Sequence, residues 1–534
     1  MELNIKSLPE ISKKGIQVPS YDVAKMHEET TKAPIWIHFG AGNIFRGYIA
    51  RLQDDLLGKG LASKGIIACD TFDAEIIEKI YRPYDNLTLL ATLSANKPTQ
   101  YRVVGSVAKG LVANPSFKED FATLQQYFAS PSLQMVSFTI TEKGYALKDI
   151  HKNYLPVVEE DFKNGPSKCN HAMSLVTSLL YHRYLNGKLP IAVVSMDNCS
   201  HNGEKLMASI VEVATTWIKN GLVEKGFIDY INDESKVSFP WSMIDKITPR
   251  PAKEIEQAIE KIGFSNMAPI TTSRKTFIAP FVNSEVCEYL VIEDKFPNGR
   301  PSLEKAGVYF TSRDTVNKVE TMKVTTCLNP LHTALAVYGC LLGYNSIASE
   351  MEDKDLVGLI NGIGKEGMKV VVDPKIIKPI DFLNEVVNLR LPNKAIPDTP
   401  QRIATDTSQK IPVRYGETIK SYIKDDTLSV DSLIYIPLAI AGWLRYLLGI
   451  DDKLNVMELS SDPMLQVLTD ELKSVKTSMK YNGELTSILS NTAIFGTDLT
   501  KTGLASKIEK YFVSMLNGKD AVRNTLHNVI IKGE

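Results

Sequence analysis

Residues 33–47 read APIWIHFGAGNIFRG, an apolar run followed by a Gly-x-Gly turn and the start of an amphipathic stretch. The run Ala33–Phe39 predicts a strand, and Ile44–Lys59 predict a helix. Gly40 permits a tight turn without a Cβ, and Gly42 lets a pyrophosphate approach the backbone. N–H groups at the start of the helix then face the phosphates. The segment therefore predicts a dinucleotide-binding loop, and a glycine turn that binds nothing is the alternative.

This loop follows a Gly-x-Gly-x-x-Gly fingerprint except at the third glycine, where Phe45 stands and Gly47 follows Arg46. The next apolar run, Gly65–Cys69, ends at Asp70. Its carboxylate is suited to accept hydrogen bonds from an adenosine ribose, which favours NAD over NADP. A helix cap or a turn is the alternative role for Asp70, and Asp73 is a second candidate. The cofactor-binding residues predicted from these two strands are Gly40, Gly42, Asn43, Ile44, Phe45, Arg46 and Asp70.

Strands and helices alternate through the first half of the chain, whereas the second half is mostly helical. Such alternation predicts βαβ units and a parallel sheet. We predict an α/β Rossmann-type dinucleotide-binding domain over residues 1–300 and a mostly α-helical substrate-binding domain over residues 301–534. The turn-rich segment Lys295–Ser302 marks the join. The predicted strands are Ala33–Phe39, Gly65–Cys69, Leu133–Thr139 and Ile191–Ser195, and the predicted helices are Ile44–Lys59, Asp73–Ile80, Ser167–Asn186, Leu331–Leu342, Asp355–Leu359, Ile380–Leu389, Val430–Leu448, Met464–Lys480 and Leu504–Asn517.

The composition of the 534 residues indicates a globular protein without affinity for nucleic acid. Apolar residues make up 44%, and Lys+Arg 61 against Asp+Glu 62 leave no basic surplus for phosphate backbones. Six scattered cysteines without a CxxC pair indicate a reduced, cytoplasmic protein. The apolar run Leu433–Ile450 contains Pro437 and Arg445, which favours a buried helix over a membrane span. The eight histidines show no metal-ligand spacing, so no metal is predicted.

Six phrases occur in an order that resembles the polyol-specific long-chain dehydrogenases, a family that includes mannitol 2-dehydrogenases, fructuronate reductases and tagaturonate reductases. The resemblance runs from about residue 34 to about residue 450. It implies a Rossmann-type domain, a helical domain and a metal-independent NAD(P) dehydrogenase that acts on a sugar-derived chain. The phrases are GAGNIFRG from Gly40, Thr139–Tyr145 (TITEKGY), Ser195–Gly203 (SMDNCSHNG), Phe239–Pro249 (FPWSMIDKITP), Ile292–Pro301 (IEDKFPNGRP) and Lys323–His332 (KVTTCLNPLH).

The resemblance also implies roles for single residues. Lys323 matches the family's acid/base, and a lysine can serve as a base when burial disfavours its charged form. Asn198 and Asn329 match amides that donate to the substrate oxygen, and His332 matches a residue that orients the substrate. The remaining matches are Glu320, which would relay protons between the base and solvent, and Asp245, Arg402 and Lys410, which would bind substrate.

Each of these matches also has a plainer interpretation. A solvated lysine is the alternative for Lys323, a turn cap for Asn198 and a satisfied core histidine for His332. Asp245 has Lys246 or Arg250 as a possible ion-pair partner. Surface charge is the alternative for Arg402 and Lys410. For Glu320, the proton-relay role and a plain role without function are about equally supported.

One spacing departs from the family pattern. Lys323 and Asn329 are six residues apart, one more than in the family, and Pro330 follows where a small residue is usual. On a straight helix with about 100° per residue, Lys323 and His332 would then lie on opposite faces, roughly 180° apart. We expect a helix that restarts at Pro330 with Asn329 as its N-cap, because proline suits the first helical position and asparagine suits the cap. A π-bulge that absorbs the extra residue is the alternative.

The activity implied by the resemblance is the NAD-dependent interconversion of D-fructuronate and D-mannonate, a fructuronate reductase reaction. Arg402 or Lys410 would pair with the carboxylate of such a sugar acid. Mannitol 2-dehydrogenase and tagaturonate reductase activities are the alternatives within the family, and an NAD(H)-binding protein without catalysis is the alternative outside it. The expected partner is a small sugar acid or polyol, with neither nucleic acid nor membrane.

Overall fold

The computed structural model describes residues 1–95, 97–149 and 151–533. It divides into two compact units, Met1–Asn317 and Lys318–Glu534, which are described in turn. The domain boundary predicted after residue 300 lies earlier in the chain than the boundary between these two units. Strand β14 at Tyr309–Thr311 still pairs with β13 at Tyr289–Glu293 of the first unit.

The other strands of the first unit are β1 Trp36–Phe39, β2 Ile66–Asp70, β3 Thr88–Leu93, β4 Gln100–Val104, β5 Val107–Val112, β6 Met135–Phe138, β7 Ile191–Ser195, β8 Val237–Ser238, β9 Ser242–Asp245, β10 Ile270–Thr271, β11 Phe277–Ile278 and β12 Phe281–Glu285. Its α-helices are α1 Leu8–Lys13, α2 Val23–Lys32, α3 Ala50–Gly58, α4 Ala74–Ile76, α5 Lys118–Phe128, α6 Glu142–Tyr145, α7 Pro156–Asn164, α8 Ala172–Leu185, α9 Asn202–Lys219, α10 Gly226–Asn232 and α11 Lys253–Ile262, while α12 Arg313–Met322 contains the division.

Parallel strands form the main sheet of the first unit in the order β5-β2-β1-β6-β7-β8. The chain runs outward from β1 through β2 and β5, and then returns to β6 on the other side of β1. Open α/β sheets bind ligands at the carboxyl ends of their strands, where the strand order reverses in this way. The parallel Rossmann-type sheet predicted from the sequence is confirmed, and its reversal lies directly beside the glycine loop.

Smaller sheets complete the first unit. β12 pairs with β3 and β3 with β4, β13 pairs with β9 and β14, and β10 pairs with β11. The β12–β3 and β13–β9 pairs join strands that are far apart along the chain, as in the register Val282 to Leu90, whereas β3–β4 and β10–β11 join consecutive strands. The sequence pattern did not predict these sheets, since a short apolar run reveals burial but not the strand with which it pairs.

The second unit is helical, as predicted. Its α-helices are α13 Asn329–Leu342, α14 Ile347–Glu350, α15 Lys354–Met368, α16 Pro379–Glu385, α17 Pro400–Ile403, α18 Thr407–Ile411, α19 Glu417–Lys424, α20 Tyr435–Tyr446, α21 Leu465–Glu471, α22 Thr486–Leu489, α23 Thr492–Phe495, α24 Leu504–Met515 and α25 Ala521–Lys532. Turns of π-helix occur in both units, at Phe45–Ile49, Ile77–Tyr81, Lys323–Cys327, Val386–Arg390 and Pro412–Gly416.

Helix α20 accounts for the most apolar run of the sequence. Every residue from Ile436 to Tyr446 is buried, and the guanidinium of Arg445 donates to the carbonyls of Met515, Ile450 and Asp451. Arg445 therefore satisfies carbonyl groups inside the core, and the predicted buried helix is confirmed. In the part of the chain that the structure covers, no helix combines the length and the apolar character that crossing a bilayer requires.

Candidate functional site

The glycine loop follows β1 at the point where the sheet order reverses. Gly40 has φ +103°, and a Cβ there would lie 2.1 Å from the carbonyl oxygen of Thr139. Its N–H donates to the carbonyl of Cys69 at 2.8 Å, which holds the loop against β2. A Cβ on Gly42, in contrast, would meet no protein atom within 4 Å. Gly40 is thus required by the fold, whereas Gly42 faces open space in which a bound phosphate group would fit.

The four residues after Gly42 differ in what they can offer a cofactor. Asn43 and Ile44 are half-buried, whereas Phe45 is fully buried and stacks on His38 with ring centroids 4.2 Å apart. The buried guanidinium of Arg46 donates to the carbonyl of Ala279 at 2.8 Å and to Asn43 at 2.9 Å. The side chains of Phe45 and Arg46 therefore support the loop, and a contribution of these two residues to cofactor binding would come from their backbone.

Asp70 lies at the end of β2 and is buried. Its Oδ2 accepts from the N–H of Ala41 at 3.1 Å, and its Oδ1 accepts from Phe72 at 2.9 Å and Asp73 at 2.8 Å. Burial raises the pKa of Asp70, and these backbone donors oppose the rise. Asp73 caps α4 and also accepts from the hydroxyl of Thr272. Asp70 thus joins the β2 turn to the glycine loop, and a carboxylate with about four lone-pair sites retains one for a ligand.

Three of the sequence phrases meet beyond the ends of β6 and β7. The carboxylate of Asp197 accepts from the N–H groups of Ile140 and Thr141 at 2.9 Å and from the hydroxyl of Tyr145 at 2.5 Å. Asn202 donates to the carbonyls of Ser195 and Asp197 and bonds to Ser242 through both ends of its amide. These contacts join residues 139–145, 195–203 and 239–249 into one rigid corner of the first unit.

Asn198 and Asp245 are part of this corner. Asn198 follows Asp197 directly and is exposed, and Asp245 ends strand β9 and is buried. The neighbour of Asp245, Lys246, donates to the carbonyl of Glu285 and the carboxylate of Glu288. Because Asp197 anchors the turn, Asn198 lies at the surface beyond the end of the sheet. This position suits an amide that faces a ligand.

Lys323 begins the π-helical turn Lys323–Cys327 and is buried, with 5% of its surface exposed. The backbone N–H of Leu328 donates to the carbonyl of Lys323 at 3.2 Å, the i to i+5 bond of a π-helix. Leu328 then leaves the helical conformation with φ −129° and ψ −61°, and α13 begins at Asn329. The π-bulge, which the sequence offered only as the alternative to a cap at Asn329, is therefore confirmed.

The predicted N-cap at Asn329 is wrong. The wider π turn takes up the extra residue, so Leu328 occupies the cap position and Asn329 lies within the first turn of α13. Pro330 is placed early in the helix, as expected. The side-chain amide of Asn329 is half-buried and makes no hydrogen bond to any residue that the structure describes. Capping thus does not compete with a ligand for this amide.

His332 lies on the first turn of α13, next to Asp398. Its Nε2 is 3.4 Å from Oδ2 of Asp398, close but without hydrogen-bond alignment. Burial lowers the pKa of His332, and Asp398 opposes that shift, so the ring is neutral near pH 7. Arg402 donates to Oδ1 of Asp398 through Nε at 2.8 Å and also through Nη2. Asp398 therefore holds the histidine and the arginine on either side of one carboxylate.

Two further cations approach this group. The ammonium of Lys410 donates to the carbonyls of Ile403, at 3.0 Å, and Thr405. Burial, followed by the charge of Arg414, lowers the pKa of Lys410 to about 8. Nη1 of Arg414 donates to the carbonyl of Asn329 at 3.2 Å and to the hydroxyl of Thr333. In the second unit, the predicted residues Asn329, His332, Arg402 and Lys410 are thus joined into one cluster.

Glu320, the predicted proton relay, is half-buried in α12, one helical turn before Lys323. The sequence pattern did not point to Asp398, Arg414, Asp197 or Asn202 as parts of the candidate site. Asp197 stands beside Asn198 in one of the quoted phrases, which is a signal that could have found it. Asp398 and Arg414 had no such signal, because their partners lie on other segments of the chain.

Comparisons with known proteins place both parts of the chain in one family. The family model for the mannitol dehydrogenase Rossmann domain matches residues 34–305, and the model for the mannitol dehydrogenase C-terminal domain matches residues 315–516. A D-mannonate oxidoreductase of Thermotoga maritima is 50% identical over 537 aligned residues, which cover 99% of both chains.

Solved structures give the same result at lower identity. Pseudomonas fluorescens mannitol 2-dehydrogenase, in a ternary complex with NAD and D-mannitol, is 26% identical with a TM-score of 0.71 and covers 100% of both chains. A substrate-free D-sorbitol dehydrogenase is 25% identical with a TM-score of 0.81, and the match covers 98% of this chain and 100% of the other.

Proposed function

As a member of the mannitol dehydrogenase family, this chain is an oxidoreductase that acts on a CH–OH group, and we propose that it interconverts D-mannonate and D-fructuronate. The observation that carries the proposal is the 50% identity to a D-mannonate oxidoreductase over 99% of both chains. A cluster of cations in the second unit supports it, since the substrate is an anion. None of the six cysteines forms a disulfide, so we propose a reducing compartment, the cytoplasm, as its location.

We propose NAD as the cofactor, bound by the first unit. The open space at Gly42 and the N–H groups of residues 43–46 would hold its pyrophosphate, and Asp70 would accept from the adenosine ribose with its remaining lone pair. When bound, the nicotinamide ring supplies or accepts the hydride. The carboxylate of Asp70 favours a ribose hydroxyl over a phosphate at the same position, because two anions repel each other.

The chain's own residues would handle the proton and the charge. In the reduction, the C5 ketone of D-fructuronate gains a hydride at carbon and a proton at oxygen, and Lys323 would supply that proton. Asn198 and Asn329 would donate to the oxygen while negative charge develops on it. Glu320 would return a proton from solvent to Lys323. His332, Asp245, Arg402 and Lys410 would orient the substrate through its hydroxyl groups.

The test follows NADH absorbance with purified protein and D-fructuronate, D-tagaturonate or D-fructose as substrate, and Lys323→Ala as the variant. We expect turnover of D-fructuronate and a loss of at least about 10²-fold in the variant, as for removal of a general acid. Preference for D-fructose or D-tagaturonate would instead assign mannitol 2-dehydrogenase or tagaturonate reductase activity. NADH binding without turnover of any substrate would mean a non-catalytic protein, and activity that survives in the variant would remove Lys323 from its role.

A further inference from the structure

Arg402, Lys410 and Arg414 are neighbouring cations of the second unit, and they are not equally available to a ligand. Arg402 directs both Nε and Nη2 at Asp398. Lys410 is held by two backbone carbonyls. The two cations that the sequence suggested for a substrate carboxylate are therefore already bound within the protein.

Arg414 differs from both. Its contacts are made by Nη1 alone, to the carbonyl of Asn329 and the hydroxyl of Thr333. Neither Nε nor Nη2 donates to an acceptor in the part of the chain that the structure covers. These two N–H groups form one edge of the planar guanidinium, and that edge matches the two oxygens of a carboxylate.

The backbone around Arg414 is fixed in place. Arg414 lies in the π-helical turn Pro412–Gly416, and the hydroxyl of its buried neighbour Tyr415 donates to the carbonyl of Pro330 at 2.8 Å. Both residues thus attach this turn to the start of α13, where Asn329 and His332 are. The guanidinium is half-buried and held against the backbone carbonyl of Asn329, so little further ordering is needed to bind a ligand.

The local charges also favour an anion. The charges that act on the His332 ring include two cations, Arg414 and Arg402, and the carboxylate of Asp398, which also pairs with Arg402. Asp406 and Asp462 partly balance Lys410, while Arg414 and Arg402 repel it. Burial lowers the pKa of Arg414 to about 10, so its charge is held where solvation is poor. A bound carboxylate would neutralise this excess of positive charge.

We propose that Arg414 binds the carboxylate of the sugar-acid substrate through Nε and Nη2, and that it thereby selects a sugar acid over a neutral polyol. The inference rests on the proposed function and adds a residue that decides its substrate class. Arg402, with Asp398, would position His332.

The experiment compares D-mannonate with D-mannitol, which share a carbon chain and differ in the carboxylate at C1. Dissociation constants are measured by calorimetry for the unaltered chain, Arg414→Gln and Arg414→Lys, and kcat and KM are measured for D-fructuronate. Arg414→Gln should weaken D-mannonate binding by about 10- to 100-fold, as expected for a lost charge-assisted pair, and leave D-mannitol binding within about twofold. Arg414→Lys should fall between, because lysine keeps the charge but not the bidentate edge.

Lys420→Gln, which removes a surface lysine paired with Glu417, serves as the control and should change neither constant. An equal loss for both ligands in Arg414→Gln would show a structural role and overturn the proposal, as would no change in either. The proposed function fails separately, through absence of D-fructuronate turnover in the unaltered chain. In that case selective loss of D-mannonate binding would still support the role of Arg414.

Discussion

Gly40 and Gly42 stand two positions apart in one loop, yet the structure requires glycine at them for different reasons. The positive φ of Gly40 and the carbonyl of Thr139 leave no room for a Cβ. At Gly42 no protein atom would contact a Cβ, so the space beside it is open. The sequence pattern predicted both glycines, but it could not separate a residue needed by the fold from one needed by a ligand.

This difference predicts opposite effects for two alanine substitutions. Gly40→Ala should destabilise the protein by about 3 kcal/mol or more, because the backbone must move away from Thr139. Gly42→Ala should change stability by less than about 1 kcal/mol and raise the dissociation constant of NADH by at least about 10-fold. Urea unfolding and NADH fluorescence titration measure the two quantities. Unchanged NADH affinity in Gly42→Ala would place the pyrophosphate elsewhere.

Single residues of the second unit were less predictable. The phrase Lys323–His332 suggested the lysine, the amide and the histidine as site residues, because they are close in sequence. Asp398 and Arg414 could be recognised only from the structure, in which Asp398 lies beside His332 and Arg414 donates to the carbonyl of Asn329. A charged residue can be found from sequence when its neighbours in the chain form a motif, and not when its role depends on a distant backbone carbonyl.

At the scale of elements, the strand predictions agree with the sheet because buried parallel strands are continuous apolar runs. The helix predicted over Met464–Lys480 is shorter, since α21 ends at Glu471. Leu472 and Val475 remain buried, but tight i to i+3 turns carry them, as in the bond from Val475 N–H to the carbonyl of Leu472. Apolar spacing thus predicted which residues are buried more reliably than the helix that carries them.

Helix α20 shows how one element depends on another. The carboxylate of Glu366, on α15, accepts from the N–H groups of Ile434, Tyr435 and Ile436 at 2.5, 2.9 and 2.8 Å. These amides at the start of α20 have no partner within their own helix. A carboxylate at this position also interacts favourably with the helix dipole. Glu366 therefore caps α20 from outside it.

Removal of this cap should destabilise the second unit. Glu366→Ala leaves three N–H groups, one buried and two partly buried, without an acceptor, and we expect a loss of about 2–4 kcal/mol in the free energy of unfolding. Glu458→Ala, at an exposed glutamate of the same unit, should change it by less than about 0.5 kcal/mol. Urea unfolding of the two variants checks this. Equal stability in both would mean that water replaces the cap.

At the scale of the whole molecule, stability should depend on pH through a buried acid. Both carboxyl oxygens of Glu350 are buried and have no hydrogen-bond partner among the described residues. Burial, with the charges of Asp398 and Asp353, raises the pKa of Glu350 to about 9. The folded chain therefore keeps this proton up to about pH 9, while the unfolded chain releases it near the ordinary glutamate pKa of about 4.3.

Between these two pKa values the folded state binds more protons than the unfolded state, so stability falls as pH rises. We expect the unaltered chain to lose about 2–3 kcal/mol between pH 6 and pH 8 relative to Glu350→Gln, which has no proton to release. Urea unfolding at both pH values measures the difference. Parallel pH profiles for the two chains would mean that Glu350 is charged in the folded state.

The π turn at Lys323–Cys327 has a consequence for how relatives of this chain are aligned. A π turn holds one residue more than an α turn, and such turns arise when a residue is inserted into a helix. A relative with an unbroken α-helix needs one residue fewer between the lysine and the asparagine. The correct alignment then opens a one-residue gap inside Lys323–Leu328, and Asn329 and His332 stay matched to their counterparts. An ungapped alignment would shift the whole of α13 by one position and pair Leu328 with the asparagine of that relative.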